Sequence, residues 1–509
     1  MAINYSKKKL GFGKYRSQTW GWVKSQDPNY LSWLAGSDFG QSNAKIQAAL
    51  KSLFEVNLHL KEDQQAAVDA FEEACLVGGE RCFRLVGGAG YGKSYAVTAI
   101  ADLARKAGYT VSGMAVSYVA TQVMAESLDL LGIESSTVAR ALGLKPNKDS
   151  YEESYGPSDR TEGLAFHLVA YNRMLIVDEY SMTDDVTADI IYRAMEHSNS
   201  ILLVVGDSAQ LPSPSQRFMS AFDTISPMAQ LTIPKRFAPG SVLHDVELGV
   251  RNDPWAMATV LRDKTDGVSV IQHGARESLV NQQIADLERY PDDTGLMLFY
   301  RRAKVAEANR FIRQTVYGEV ADVVPGERLR VMRTTFIPVV WDSEKGRWES
   351  ARYYSGTFIN VKDVEMDDVT VEFQDPDLPD NDLVDLTVDC FRVKTPGGAA
   401  FPVVFSNAEH SADPLMAGGE SFNTALNKVK QYCIERQELT PAIWKLYHRF
   451  RDHFLQVSYA YATTVHRSQG ASVDRIYLSP EDVLQGGDYI ARRLAYVAAT
   501  RAKVQIHYV

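Results

Sequence analysis

Cysteine is scarce in this chain. Four occur in 509 residues, Cys75, Cys82, Cys390 and Cys433, and none forms the close pair that zinc sites use. That excludes a disulfide-stapled or zinc-ribbon fold and leaves four buried or idle thiols. Long apolar runs are also missing, since no stretch approaches the roughly 18 consecutive apolar residues of a membrane-spanning helix. The opening MAINYSKKKLGFG has no apolar core of the secretory type, which predicts a cytoplasmic, non-secreted protein. None of the ten histidines lies in a His-x-His cluster, which argues against a relaxase or nuclease centre. Positive charge is not in excess either: 54 Lys and Arg face 64 Asp and Glu, a net charge of −10. A uniformly basic surface is thereby excluded, although a local positive groove is not.

What remains is the composition of an ordinary soluble protein, 45% apolar and 23% charged, long enough for two to four domains. Residues 54–80 have helical periodicity ending in Gly-Gly. RCFRLVGG reads as a short buried strand, and KSYAVTAIADLARKAG as the helix after it. TVSGMAVS, RMLIVDE and SILLVVGD read as further parallel core strands. A second α/β set begins near residue 294. From about 325 to 405 short β-type runs broken by Gly, Pro and Asp predict a β-rich insert, and the α/β pattern resumes after it.

Between the first strand and its helix lies Gly87-Gly88-Ala89-Gly90-Tyr91-Gly92-Lys93-Ser94, a full match to G-x-x-x-x-G-K-[ST]. Its glycines let backbone N–H groups face phosphates, and the helix N-terminus favours anions. Lys93 suits the β- and γ-phosphates of ATP, and the Ser94 hydroxyl suits Mg²⁺. LIVDEYSM ends an apolar strand in two carboxylates. Asp178 fits a metal ligand and Glu179 a general base or water positioner. This pairing predicts an ATPase. Gln210, in VVGDSAQLPS, follows another apolar strand in a position to reach the γ-phosphate.

Three segments downstream carry a resemblance: GDSAQLP, then HRSQG within 461–478, then AATRA near the C-terminus. In this order they resemble the superfamily 1 helicases, in the RecD-like, Dda-type branch, over roughly residues 55–509. The resemblance implies two RecA-like motor domains, each a parallel sheet flanked by helices, and an SH3-like insert in the second. It implies movement 5′ to 3′ on single-stranded DNA, strand separation at single-strand/duplex junctions, and a monomeric motor in a bacterial or phage-infected cell. Replication or recombination proteins are the partners it suggests. By the same likeness Gln64 reads the adenine, and Arg236 and Arg501 are offered to the γ-phosphate by the second motor domain. Arginines of that kind are worth about 10³–10⁵ in rate.

On the strand side, AVSYVATQ stands where the family has a strand-contact loop, with Ser117 and Tyr118 as contacts; a core tyrosine is the alternative reading. Val116 and Ala139 depart from the family's Pro and His. Thr464 and His466 match strand-contacting or coupling positions. Asn309 and Arg313, in RRAKVAEANRFIR, match an amphipathic helix of the family's second motor domain or are simply structural. The polar stretch 144–163 stands where a separation pin is expected, with Tyr151 or Tyr155 as its aromatic; a solvated loop is the rival. The expected domains are a module over 1–50, a first motor domain over 51–230, a second over 231–324 and 455–509, and the insert with a helical return over 325–454. The first module resembles the C-terminal region of exodeoxyribonuclease X-like proteins. Its Lys14, Arg16 and tryptophans either bind a strand or form a small core. The insert's densely acidic stretch EMDDVTVEFQDPDLPDNDLVDLTVDC predicts a surface turned away from nucleic acid or toward a basic partner, or simply a solvated face. A DNA-stimulated ATPase that remodels protein–DNA complexes without unwinding is the alternative function. A single-core kinase or switch fits poorly, because it has no second lobe to supply Arg236 and Arg501.

Overall fold

The computed structural model describes residues 9–20, 22–23, 30–31, 34, 39, 43, 45–46, 59–146, 155–158, 161–169, 172–196, 198–211, 221–236, 240–290, 295–318, 323–342, 347–373, 383–405, 421–437, 443–485 and 488–509. The chain divides into two compact units. The first comprises 1–144, 157–208 and 212–239, and the second 145–156, 209–211 and 240–509.

Up to residue 231 the strands are β1 (Cys82–Gly87), β2 (Thr110–Ala115), β3 (Ser135–Thr137), the two-residue β4 (Lys145–Pro146) and β5 (Tyr155–Gly156), β6 (Arg173–Asp178), β7 (Ile201–Gly206) and β8 (Met228–Leu231). Six of them form the first unit's sheet in the order β3-β2-β6-β7-β1-β8, with every pairing parallel. Period-2 alternation sorts their apolar residues onto two faces. Phe83, Leu85, Met174, Ile176, Leu203 and Val205 enter one core with the helix Lys93–Lys106. Leu175, Val177, Leu202 and Val204 enter another with the helix Asp185–Glu196. Such strands read as continuous apolar runs because both faces are covered.

In the second unit β9 (Val270–Gln272), β10 (Leu296–Phe299), β19 (Ala462–Thr464), β20 (Val473–Leu478) and β21 (Ala502–Tyr508) make another wholly parallel sheet, ordered β19-β10-β20-β21-β9. Two parallel sheets flanked by helices are the RecA-like architecture expected. Between β10 and β19 lie β11 (Arg328–Val331), β12 (Thr335–Asp342), β13 (Arg347–Tyr353), β14 (Phe358–Asn360), β15 (Asp363–Val371), β16 (Leu386–Lys394), β17 (Ala400–Phe405) and β18 (Leu455–Tyr459). Six of these form a mixed sheet, β14-β11-β18-β17-β16-β15, and β12 pairs with β13 as a separate hairpin. The helical return is present as Phe422–Arg436 and Trp444–Asp452, packed on this sheet through Val388, Cys390, Val404, Phe422, Cys433 and Phe450.

Two boundaries move. The sequence predicts β18 as the opening of the resumed motor domain, but it pairs with β11 and β17, so the insert's sheet runs to Tyr459. At the other boundary, 231–239 joins the first unit, because β8 pairs with β1 and the chain beyond it packs on the phosphate loop. In the N-terminal module Leu10, Trp20, Val23, Leu31, Leu34 and Ile46 form a small core, while Trp22 is exposed and Lys14 lies over the rings of Tyr15 and Tyr30. All four cysteines are free thiols. No described helix is long and apolar enough to cross a membrane.

Candidate nucleotide site and strand-contact loops

The phosphate loop sits where β1 gives way to the helix Lys93–Lys106. Gly90 and Gly92 take left-handed φ of +81° and +79°, a region that strains any other residue. Space demands glycine there too. A Cβ on Gly90 would meet the Arg236 Cβ at 2.5 Å, and one on Gly92 would meet the Gln64 amide nitrogen at 2.6 Å. Lys93 Nζ donates to the carbonyls of Gly87 at 2.8 Å and Gly88 at 3.1 Å, folding the lysine over the loop it serves.

A second layer braces the loop. Gln64 is buried; its Nε2 donates to the Gly92 carbonyl at 3.1 Å and its Oε1 accepts from the Lys61 N–H at 3.0 Å. Its expected role at adenine therefore coincides with a brace on the loop. The backbone N–H groups of Lys235 and Arg236 both donate to the Gly90 carbonyl, at 2.8 and 2.9 Å. Asp63 fastens that segment, accepting from the N–H of Thr232 at 3.0 Å, that of Ile233 at 2.8 Å and Lys235 Nζ at 3.2 Å. Burial alone would raise the Asp63 pKa, but these donors and the lysine charge outweigh it and hold the carboxyl below its usual range.

Arg236 thus lies in the phosphate loop's own unit, against Gly90, and does not come from a second lobe. The parallel pairing of β8 beside β1 decides this, because it carries the chain after Leu231 directly over the loop.

Asp178 ends β6, two strands from β1 in the sheet. Desolvation raises its pKa, against the Lys93 charge and a 2.8 Å bond from the Glu179 N–H. A carboxylate desolvated beside the loop, with a serine hydroxyl at position 94, is a hard oxygen donor set that suits Mg²⁺. Glu179 takes φ of +52°, a conformation costing a non-glycine residue about 1–2 kcal/mol. Non-glycine residues held there cluster at active sites.

Ser117 caps the helix Tyr118–Leu128, its Oγ accepting from the Ala120 N–H at 3.2 Å. Tyr118 stands at that helix start, half-buried, with its hydroxyl 3.4 Å from Gln122 Nε2; it belongs to neither core of the first unit. In the pin region β4 and β5 pair antiparallel, with Pro146 opposite Tyr155, while Tyr151 lies outside the described residues.

In the second unit Thr464 ends β19 and is buried at the start of the short helix Val465–Ser468. His466 is exposed and its ring faces Tyr300, centroids 6.2 Å apart. Partial desolvation, with the Arg302 charge, lowers its pKa and keeps the imidazole neutral near pH 7. Segment 209–211 belongs to this unit. Gln210 is buried there, its Oε1 accepting from Gln469 Nε2 at 3.3 Å and its carbonyl accepting from Arg493. Arg501 is buried among carbonyls. Its Nε donates to Val497 at 3.0 Å and one Nη to Ala471 at 2.8 Å, while the other Nη donates to the Thr500 hydroxyl at 2.9 Å. Asn309 and Arg313 are buried too. Asn309 accepts from the Ala462 N–H at 2.8 Å, and Arg313 pairs with Glu327 at 3.0 Å.

The structure thus gathers Gln64, the loop 87–94, Asp178, Glu179 and Arg236 in one unit, and Gln210, Thr464, His466 and Arg501 in the other. Sequence reasoning missed Asp63, Lys235 and Arg330; of these only Arg330 had a local signal, since RLRV places Arg328 and Arg330 on one strand face.

An AAA domain model matches residues 59–268 and a UvrD-like helicase C-terminal domain model matches 459–507. The chain is 23% identical over 396 residues to the ATP-dependent DNA helicase Dda of Enterobacteria phage T4, covering 75% of this chain and 84% of the relative. It is 34% identical over 154 residues to the ATP-dependent RecD2 DNA helicase of Deinococcus radiodurans, covering 30% of this chain and 18% of the relative. Among solved structures, a Bacteroides Pif1 bound to single-stranded DNA aligns with a TM-score of 0.45 at 17% identity, over 89% of this chain and 92% of that one. In these matches the chain is similar to superfamily 1B helicases of the RecD-like, Dda-type branch.

Proposed function

We propose that the protein is an ATP-dependent DNA helicase that moves 5′ to 3′ on single-stranded DNA and unwinds duplex. The observation that carries this reading is the division of labour between the units. A braced phosphate loop with a strand-end Asp178–Glu179 pair lies in one, and the 464–470 loop and Arg501 lie in the other. The likeness to the T4 helicase over 84% of that protein's length supports it.

In this reading Lys93, released from the Gly87 and Gly88 carbonyls, neutralises the nucleotide's terminal phosphates. Ser94 and Asp178 would hold Mg²⁺, which would supply charge neutralisation to the phosphates when bound. Glu179 orients the attacking water and accepts its proton. Arg236, whose backbone N–H donates to the Gly90 carbonyl, meets growing phosphate charge from the loop's own side. Arg501 and Gln210 respond from the second unit, through the Ala471 and Gln469 contacts that join them to the 464–470 loop. Ser117, Tyr118, Thr464 and His466 contact the strand, and the β4–β5 pair is the base of a separation pin.

A duplex bearing either a 5′ or a 3′ single-stranded tail, with ATP and Mg²⁺, tests the proposal. Opening of the 5′-tailed form alone is the expected result, and opening of the 3′-tailed form alone refutes the polarity. If DNA stimulates hydrolysis but neither duplex opens, the protein is a translocase that remodels protein–DNA complexes.

A further inference from the structure

The N-terminal module takes no part in the mechanism proposed above, yet its charge is unlike that of the chain around it. Residues 1–26 hold six Lys and Arg and no Asp or Glu, in a protein of net charge −10. Positive potential is thus concentrated in one short stretch of an acidic molecule. Lys9, Lys14 and Arg16, the cations of that stretch among the described residues, are all exposed.

A tight loop presents them. Lys9 bridges Thr19 antiparallel, and the Leu10 N–H donates to the Gln18 carbonyl at 2.9 Å. Inside that frame the Gly11 N–H donates to the Arg16 carbonyl at 3.1 Å and the Arg16 N–H to the Gly13 carbonyl at 3.3 Å, which leaves Lys14 and Tyr15 at the tip. Gly13 has φ of +65°, and a Cβ there would meet the Tyr30 hydroxyl at 2.1 Å, so both conformation and space demand glycine.

The rings beside the tip form one continuous cluster. The Tyr15 centroid lies 5.8 Å from that of Trp22 and 5.1 Å from that of Tyr30, both edge to face. Lys14 Nζ lies 4.7 Å from the Tyr15 centroid and 5.2 Å from that of Tyr30. The two tryptophans divide between the two readings of this module. Trp20 is buried in the core, against which Tyr15 and Tyr30 pack half-buried, whereas Trp22 does not join that core and is 41% exposed. Apolar surface left in water forfeits roughly 25 cal/mol per Å², so an exposed indole beside clustered cations points to a ligand.

We infer that Lys14, Tyr15, Arg16, Trp22 and Tyr30 form a binding site for single-stranded nucleic acid in the N-terminal module. The site goes beyond the proposed function, which uses no residue of this module. Single strands expose planar bases between phosphates, and an indole beside lysine and arginine meets both. An acidic peptide would satisfy the cations without a planar partner for the indole, and a duplex hides its base faces in the stack.

Photo-cross-linking of the full chain to a long oligothymidylate carrying bromodeoxyuridine, mapped by mass spectrometry, reads the site directly. Cross-linked peptides containing Tyr15 or Trp22 are the expected result. The double variant Arg16→Gln, Trp22→Ala should lose them and bind the same oligonucleotide about tenfold more weakly by fluorescence anisotropy, because two sites on one chain no longer share one strand. Its salt slope should fall by about 0.7 for the phosphate that Arg16 no longer neutralises. Trp22→Phe, which keeps a ring, should stay close to wild type, and a loss as large as that of Trp22→Ala would overturn stacking at this position. Cross-links confined to other segments, with wild-type affinity in the double variant, would overturn the inference and leave the helicase reading intact. Suppression of the Trp22 cross-link by polyglutamate at matched charge would also overturn it, by making the surface a site for acidic polypeptide. Cross-links at Trp22 without any stimulation of ATP hydrolysis by the oligonucleotide would uphold the inference while the helicase reading falls.

Discussion

At the scale of single residues, Asp178 shows how one carboxylate joins stability to chemistry. Burial raises its pKa, so the apo protein carries a carboxyl that is poorly solvated when charged. Asp178→Asn should therefore leave the metal-free protein at least as stable as wild type. It should also abolish the Mg²⁺-dependent part of stabilisation by a non-hydrolysable ATP analogue. At a hundredfold excess over Kd, ligand binding is worth about 2.7 kcal/mol, which is read as a shift in melting temperature with and without chelator. An unchanged Mg²⁺-dependent shift in the variant would remove Asp178 from the metal site. Most of the nucleotide site was legible in sequence because a phosphate loop is encoded within eight consecutive residues. Its braces were not. Asp63 reaches Thr232 and Ile233 across 169 and 170 positions of chain, and no local pattern announces such a contact.

Elements carry a different kind of information. The helix Arg302–Tyr317 reads as amphipathic, yet its buried face includes Asn309 and Arg313. These connect it to β19 and to Glu327 at the entrance of β11, where Tyr461 adds a hydroxyl bond of 3.2 Å to the same carboxylate. Burial raises the Glu327 pKa, and Arg313 opposes that shift. Removing one partner of a buried pair leaves the other charge uncompensated, which costs about 3–5 kcal/mol. Glu327→Gln and Arg313→Met should each destabilise the second unit on that order, and the double variant should lose clearly less than their sum. A double-mutant cycle by urea denaturation reads the coupling; additive losses would mean the pair contributes nothing as a pair. Asn309 and Arg313 are thus buried and bonded within the second unit, Asn309 to β19 and Arg313 to Glu327.

At the scale of the whole molecule, the charge balance conceals local arrangements that respond to pH. His507 on β21 is buried against His273, Asp286 and Tyr477. Burial pushes its pKa down to about 4, Asp286 opposing and His273 and Arg475 adding to the shift. The unfolded chain takes up this proton near pH 6.5 while the folded chain refuses it. The contribution is therefore complete above about pH 6.5 and is lost as pH falls toward 4, at a slope of up to about 1.4 kcal/mol per pH unit. Urea midpoints of the second unit should decline between pH 6.5 and 4.5, and His507→Asn should flatten that decline. A variant as steep as wild type would place the titrating group elsewhere.

By itself the sequence determined the two RecA-like sheets, the phosphate loop, the Asp178–Glu179 pair and the existence of a β-rich insert. Each is written in contiguous residues, as a period-2 apolar run, a glycine spacing or a change of pattern. Tertiary structure alone decided that Arg236 belongs beside Gly90, that Arg501 is bound to carbonyls of its own unit, and that β18 completes the insert's sheet. It also decided that the insert's acidic strand β15 forms one edge of its sheet, four strands from the arginine-bearing β11. Strand order is the physical reason. Hydrogen bonding between strands is indifferent to their separation along the chain, so the neighbour of each strand, and the side chains it brings with it, emerge only when the sheet assembles.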